Sequence, residues 1–167
     1  MIFEAGIDDI FHNLSLRERL ELLPYFIGNV IQIRKSTKGL DRKLKRDLIT
    51  PEELKEIERY AKKLGVSSIG YCKVDRDDIF EGFRLVYDHA IVFTVEMDKE
   101  EIAKAPSFST LKMIYRTYLK TGIIANKLTE LLREMGFRST CRTETRWTNN
   151  ISYSSREQVL EPLDKTV

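Results

Sequence analysis

Cysteine is scarce here: Cys72 and Cys141 are the only two in 167 residues, too far apart for any metal-ligand spacing. An iron–sulfur cluster needs closely spaced thiolates, and a structural zinc needs a similar group of ligands. Neither pattern exists. The two histidines, His12 and His89, stand alone, and a lone histidine is more often structural or solvated than catalytic. No glycine-rich phosphate loop and no nucleophile elbow occur. No stretch approaches the roughly 20 apolar residues of a membrane span. The start, MIFEAGIDDIF, carries acidic residues where a secretory signal would carry basic ones. These absences predict a cytoplasmic protein with reduced thiols and no membrane partner. Charge is also missing as an argument. With 28 basic and 26 acidic residues the net charge is +2, too balanced to favour nucleic acid as a partner.

What is present is an ordinary soluble composition, 42% hydrophobic and 32% charged, with length enough for one domain and a core. Ser15-Leu16-Arg17-Glu18 is a capping box, and Leu16, Leu20, Leu23, Ile27 and Val30 follow at helical spacing, interrupted by Pro24, which predicts a kink. Residues 34–47, RKSTKGLDRKLKRD, are basic; they read as a solvated connection or short helix, or more sharply as an anion or RNA contact, but no interleaved aromatics support the latter. A second capping box at Thr50 and Glu53, with Pro51 at the first helical position, opens a helix buried along Leu54, Ile57, Ala61 and Leu64 and ended by Gly65. VSSIGYCKV then reads as a strand, and HAIVFTVEM as a central strand covered on both faces. Expected strand positions are about Ser67–Cys72 and Ala90–Met97.

Asp75, Asp77 and Asp78 lack the calcium-loop pattern and read as a helix cap within an irregular or helical stretch 75–88. DKEEIAKAPS reads as an exposed connection. A long helix is predicted from about Ser109 to Met135, its stripe running through Leu111, Tyr115, Tyr118, Gly122, Ala125, Leu128, Leu132 and Met135. Gly122 and Ala125 would admit another backbone, of a helix or a ligand, at close range. Gly136 ends this helix and Phe137 begins a strand.

Three segments carry a resemblance: PEELKEIERYAKKLGVSSIGYCKV, HAIVFTVEMDKEEIAKAPS and YRTYLKTGIIANKLTELLREMGF. In this order and spacing they resemble the amino-terminal region of corrinoid- and iron–sulfur-dependent reductases, the group of reductive dehalogenases and epoxyqueuosine reductase. The resemblance covers about residues 50–139. It implies an α/β (α+β) fold, a nitroreductase-like partial scaffold with a small sheet covered by helices. It also implies a family that uses cobalamin and two four-iron four-sulfur clusters to reduce a carbon–halogen bond or an epoxide. None of the family's cluster cysteines or catalytic residues has a matching position in this chain. No catalytic, cofactor-binding or metal residue is therefore carried over, and no cofactor is expected bound to this chain.

After Ser139 the character changes. TCRTETRWTNNISYSSREQVLEPLDKTV has no helical or strand periodicity and is rich in Thr, Ser, Arg and Asn. The family would continue with a glycine- and proline-rich stretch and a motif resembling AGLGxxGxxG. For one choice of synonymous codons, advancing one nucleotide turns Thr140 through Arg156 into HAGPRLGGLTIYPILAE. Advancing two turns Glu157 through Thr166 into AGLGAIGQNG. The alternative is a native polar tail; the shifted frame is the favoured expectation. It divides the chain into an amino-terminal domain, 1–139, and a non-native or poorly ordered tail, 140–167. The expected function is a truncated, inactive reductase fragment. The alternative is a standalone module binding a corrinoid, a flavin or a protein partner. A truncated sheet would expose edge strands and apolar surface, so self-association is an expected partner relationship.

Overall fold

The computed structural model describes residues 13–36, 46, 48–74, 87 and 89–141. His12, Asp75, Asp77, Asp78, most of the stretch 75–88 and the tail beyond Cys141 lie outside the described residues. The elements are α1 (Leu16–Ser36), α2 (Pro51–Lys63), β1 (Ser68–Lys73), β2 (His89–Thr94), α3 (Lys99–Ala103) and α4 (Phe108–Glu134). The class is mixed: helices with one small antiparallel sheet.

Each helix starts where a side chain can satisfy its orphan amides. Ser15 Oγ accepts from Glu18 N at 3.3 Å while Glu18 returns a carboxylate to Ser15 N at 2.8 Å. Thr50 and Glu53 repeat the device at α2, worth about 0.5–2 kcal/mol per cap. Asp98 caps α3 and Ser107 caps α4. Gly65 and Gly136 take φ of 87° and 93° just past α2 and α4, where an L side chain would be strained. Pro24 lies within α1, whose helical assignment runs through it.

β1 and β2 pair antiparallel from Ser68↔Thr94 to Lys73↔His89. Ile69, Tyr71, Ile91 and Phe93 share one face of this hairpin, because directly paired residues point the same way. Ile69, Ile91 and Phe93 on that face pack on a core of Ile57, Ala61, Val66, Ile124 and Leu128, each at most 8% exposed. The opposite face carries Gly70, Cys72, Ala90 and Val92, and Val92 is 50% exposed.

Several expectations are corrected here. Among the described residues HAIVFTVEM is not a central strand: β2 pairs only with β1, and one of its faces is open. Ala90 and Val92 put apolar side chains on the face opposite Ile91 and Phe93, which is why the run reads as a strand covered on both faces. Phe137 begins no strand; it makes one isolated parallel bridge to Arg46. Part of DKEEIAKAPS is a five-residue helix, because Asp98 Oδ1 accepts from the amides of Glu100 and Glu101. Tyr118, on the expected α4 stripe, is 46% exposed, whereas Ile124 and Asn126 off that stripe are buried. The reason is that α4 packs on two sides, against α1 and against the α2 core.

The α1 helix lies alongside α4 in parallel. Glu21 meets Lys112, Gly28 meets Leu119, and Gln32 meets Asn126, so the partners rise together along both helices. A Cβ on Gly28 would stand 2.9 Å from both Leu119 methyl carbons. The close helix approach expected at Gly122 and Ala125 stands instead at Gly28, against Leu119. Gly122 is itself buried in α4.

Candidate functional site

Two polar clusters among the described residues tie together elements far apart in sequence. The first is the α1–α4 seam. Asn126, 7% exposed, points its amide nitrogen at Gln32 O (3.0 Å), Gln32 Oε1 (3.0 Å) and Gly122 O (3.1 Å). Its Oδ1 accepts the Cys141 thiol at 3.2 Å. One level down, Asn29 donates to Tyr25 O at 2.9 Å and to Tyr115 O at 3.4 Å. Both asparagines use their donors on carbonyls of the two helices they join, which fixes the helix register and leaves little capacity for a ligand.

Cys141 is a thiol rather than a thiolate here. Burial pushes its pKa up, and the hydrogen bond with Thr129 and the charge of Arg133 offset this only in part. A protonated sulfur can donate to Asn126 and is a poor nucleophile near neutral pH. Arg133 grips the same segment by donating to Ser139 O at 3.1 and 2.9 Å, and Ser139 Oγ donates to Thr129 O at 3.1 Å. Thr140 and Cys141, the two residues just past the expected domain boundary, are half-buried, and the Cys141 thiol contacts α4 through Asn126.

The second cluster centres on Arg46. Its guanidinium forms a fork with the Glu53 carboxylate at 2.6 and 3.1 Å and donates to Met135 O at 3.1 Å. It also lies 4.9 Å from the centroid of the Phe137 ring. The Arg46 hydrogen bond, followed by the Thr50 backbone amide, holds the Glu53 carboxyl below the usual carboxylate range. Bidentate and stacked geometry suits arginine and not lysine. Within the basic stretch, Arg46 is therefore a clasp between the start of α2 and the end of α4. Residues 37–45 and 47 lie outside the described residues.

The remaining sequence candidates stay apart. His89 is exposed at the start of β2, paired with Lys73. Cys72 is half-buried on the open sheet face, its sulfur 3.9 Å from Ala90 O. Among the described residues no three His, Cys, Asp or Glu side chains converge as metal ligands, and no helix is long and apolar enough to cross a membrane. A depression of about 170 Å³ is lined by Glu56, Arg59, Tyr60, Lys63 and Leu131, below the range of ordinary ligand pockets. Tyr71, on the core side of the hairpin, has its hydroxyl shielded without a hydrogen-bond partner among the described residues, and burial raises its pKa.

Sequence reasoning passed over Asn126, Asn29 and Arg46. A polar residue inside an apolar helical stretch, four positions after Gly122, was the available signal for Asn126. No family model, curated protein or solved structure matches the chain.

Proposed function

We propose that this chain is the amino-terminal part of a scaffold like that of the cobalamin- and iron–sulfur-dependent reductases, inactive by itself. The resemblance supplies the family. The observation that supports an incomplete scaffold is the hairpin: it carries Cys72, Ala90 and Val92 on a face that no described element covers. A sheet with apolar residues on both faces is built to lie between two layers. The described residues do not assemble a cradle of corrinoid size, and no reaction step is derived through cobalamin or a cluster.

The test is the nucleotide sequence from codon 140 onward. A continuing frame that encodes a glycine-rich motif and a cysteine-rich end is the expected result. Purified protein is expected to contain no iron or acid-labile sulfide, since two distant cysteines cannot supply four thiolates. Stoichiometric iron with cluster absorption would contradict this.

A second reading, a standalone binding module, draws support from the Cys141–Asn126 hydrogen bond, which shows the chain still packing on α4 beyond Ser139. Titration with hydroxocobalamin separates the two. The fragment binds at most weakly, because a pocket lacking a wall buries less ligand. Sub-micromolar affinity would favour the module.

A further inference from the structure

The α1 helix turns its longest apolar row away from its own core. Leu16 is 74% exposed, Leu20 59%, Leu23 47%, Phe26 50%, Ile27 49% and Ile31 46%. The side facing α4 is instead marked by Leu22, Asn29 and Ser36. The outward row runs Leu16, Leu20, Leu23, Ile27, Val30, Arg34, in alternating steps of four and three. That is a heptad seam, the spacing that keeps one helix facing another along its length.

We propose that this face is covered by a second copy of the chain, with the two α1 helices packed antiparallel about a two-fold axis at Tyr25. Two observations select this occupant. The first is that the row is self-complementary about that point. Leu23 of one chain meets Ile27 of the other, Leu20 meets Val30, and Leu16 meets the aliphatic stem of Arg34. Phe26 flanks the axis and meets its own copy. The second is area. The six exposed side chains offer about 600 Å² per copy, the upper end of what a monomer leaves open, and roughly 1,200 Å² over a symmetric pair, where specific interfaces begin. The inference does not depend on the reductase reading, since α1 precedes the segments that carry the resemblance.

The test uses the full chain in light scattering and sedimentation at about 100 μM, where a micromolar dimer is nearly complete. The expected result is a dimer that Ile27→Glu converts to a monomer with unchanged helical circular dichroism. Symmetry places two glutamates in the desolvated seam, hence a large effect. Geometry is read by cross-linking with a short bismaleimide in a Cys72→Ser, Cys141→Ser background. Phe26→Cys is expected to cross-link. Lys35→Cys is not, because the two copies of that position stand about 30 Å apart along an antiparallel pair.

Four outcomes overturn the proposal. One is a wild-type monomer at this concentration. Another is a dimer indifferent to Ile27→Glu. A third is cross-linking through Lys35→Cys but not Phe26→Cys. The last is a monomer that dimerises only once residues 1–12 are removed, which would make the chain's own start the occupant.

Discussion

The two sides of α4 are built differently. Toward α2 and the hairpin it meets a dry cluster of Ile57, Ala61, Val66, Ile124 and Leu128, with Ile69, Ile91 and Phe93 packed around it. Toward α1 the buried residues include Leu22 together with the polar Asn29 and Asn126, and a Lys112–Glu21 ion pair of 2.8 Å closes the edge. The first side gains stability from area. The second gains register from hydrogen bonds, each of which is modest in net energy but expensive to leave half-made. The lesson is that α1 is aligned more firmly than it is held, and its outward apolar row is consistent with a helix that needs a second neighbour.

Mutations can sharpen this contrast. Ile57→Ala or Ile124→Ala removes a side chain at most 2% exposed and is expected to cost about 2–5 kcal/mol in urea unfolding. A cost below that range would mean the core can collapse around the loss. Asn126→Ala strips the donors from Gln32 and Gly122 and the acceptor from Cys141. A loss of about 1–3 kcal/mol is expected, with α1 amides exchanging faster while the hairpin amides do not. Equal acceleration in both regions would erase the distinction between them.

The Arg46 clasp gives a pH dependence. The folded carboxyl of Glu53 is depressed by Arg46 first and then by the Thr50 amide. Its contribution is therefore complete above the ordinary carboxylate range and is lost as pH falls through the lower folded value. Arg46→Met is expected to flatten the acid limb of the stability profile and to leave the neutral limb little changed, since this pair is solvent-screened. An unchanged acid limb would show that Glu53 is held by its cap alone.

The smallest effect is expected at the tail. Ending the chain after Cys141 keeps the contacts to Asn126 and Thr129 and removes residues 142–167, which the shifted-frame reading regards as never selected to pack. Thermal unfolding is expected to change little. A loss on the order of 4 kcal/mol or more would make the tail part of the core.

Much of the fold was legible because it is locally encoded. The two capping boxes, Gly65, Gly136 and the period of α4 fix element ends through side-chain and backbone chemistry that needs no tertiary context. What was hidden depends on who faces whom. The apolar row of α1 announces a helix, and periodicity does not say whether the row points inward; in the fold it points out. HAIVFTVEM has the composition of a buried strand, and only the pairing reveals a hairpin open on one face. Arg46 read as one more solvated cation, because its partners Glu53, Met135 and Phe137 are brought to it by folding. The site was illegible for a different reason: the described polar groups mostly satisfy one another, and no ligand-directed cluster stands out.

The most direct test of the two-sided account is native-state hydrogen exchange on the full chain at low and high protein concentration. The account predicts that amides of α2, β1, β2 and the last half of α4 exchange slowly and independently of concentration. Amides of α1 are expected to exchange faster at low concentration and to gain protection as concentration rises. Uniform protection across α1 and the core, unchanged by concentration, would contradict both the weak hold on α1 and the second copy proposed to cover it.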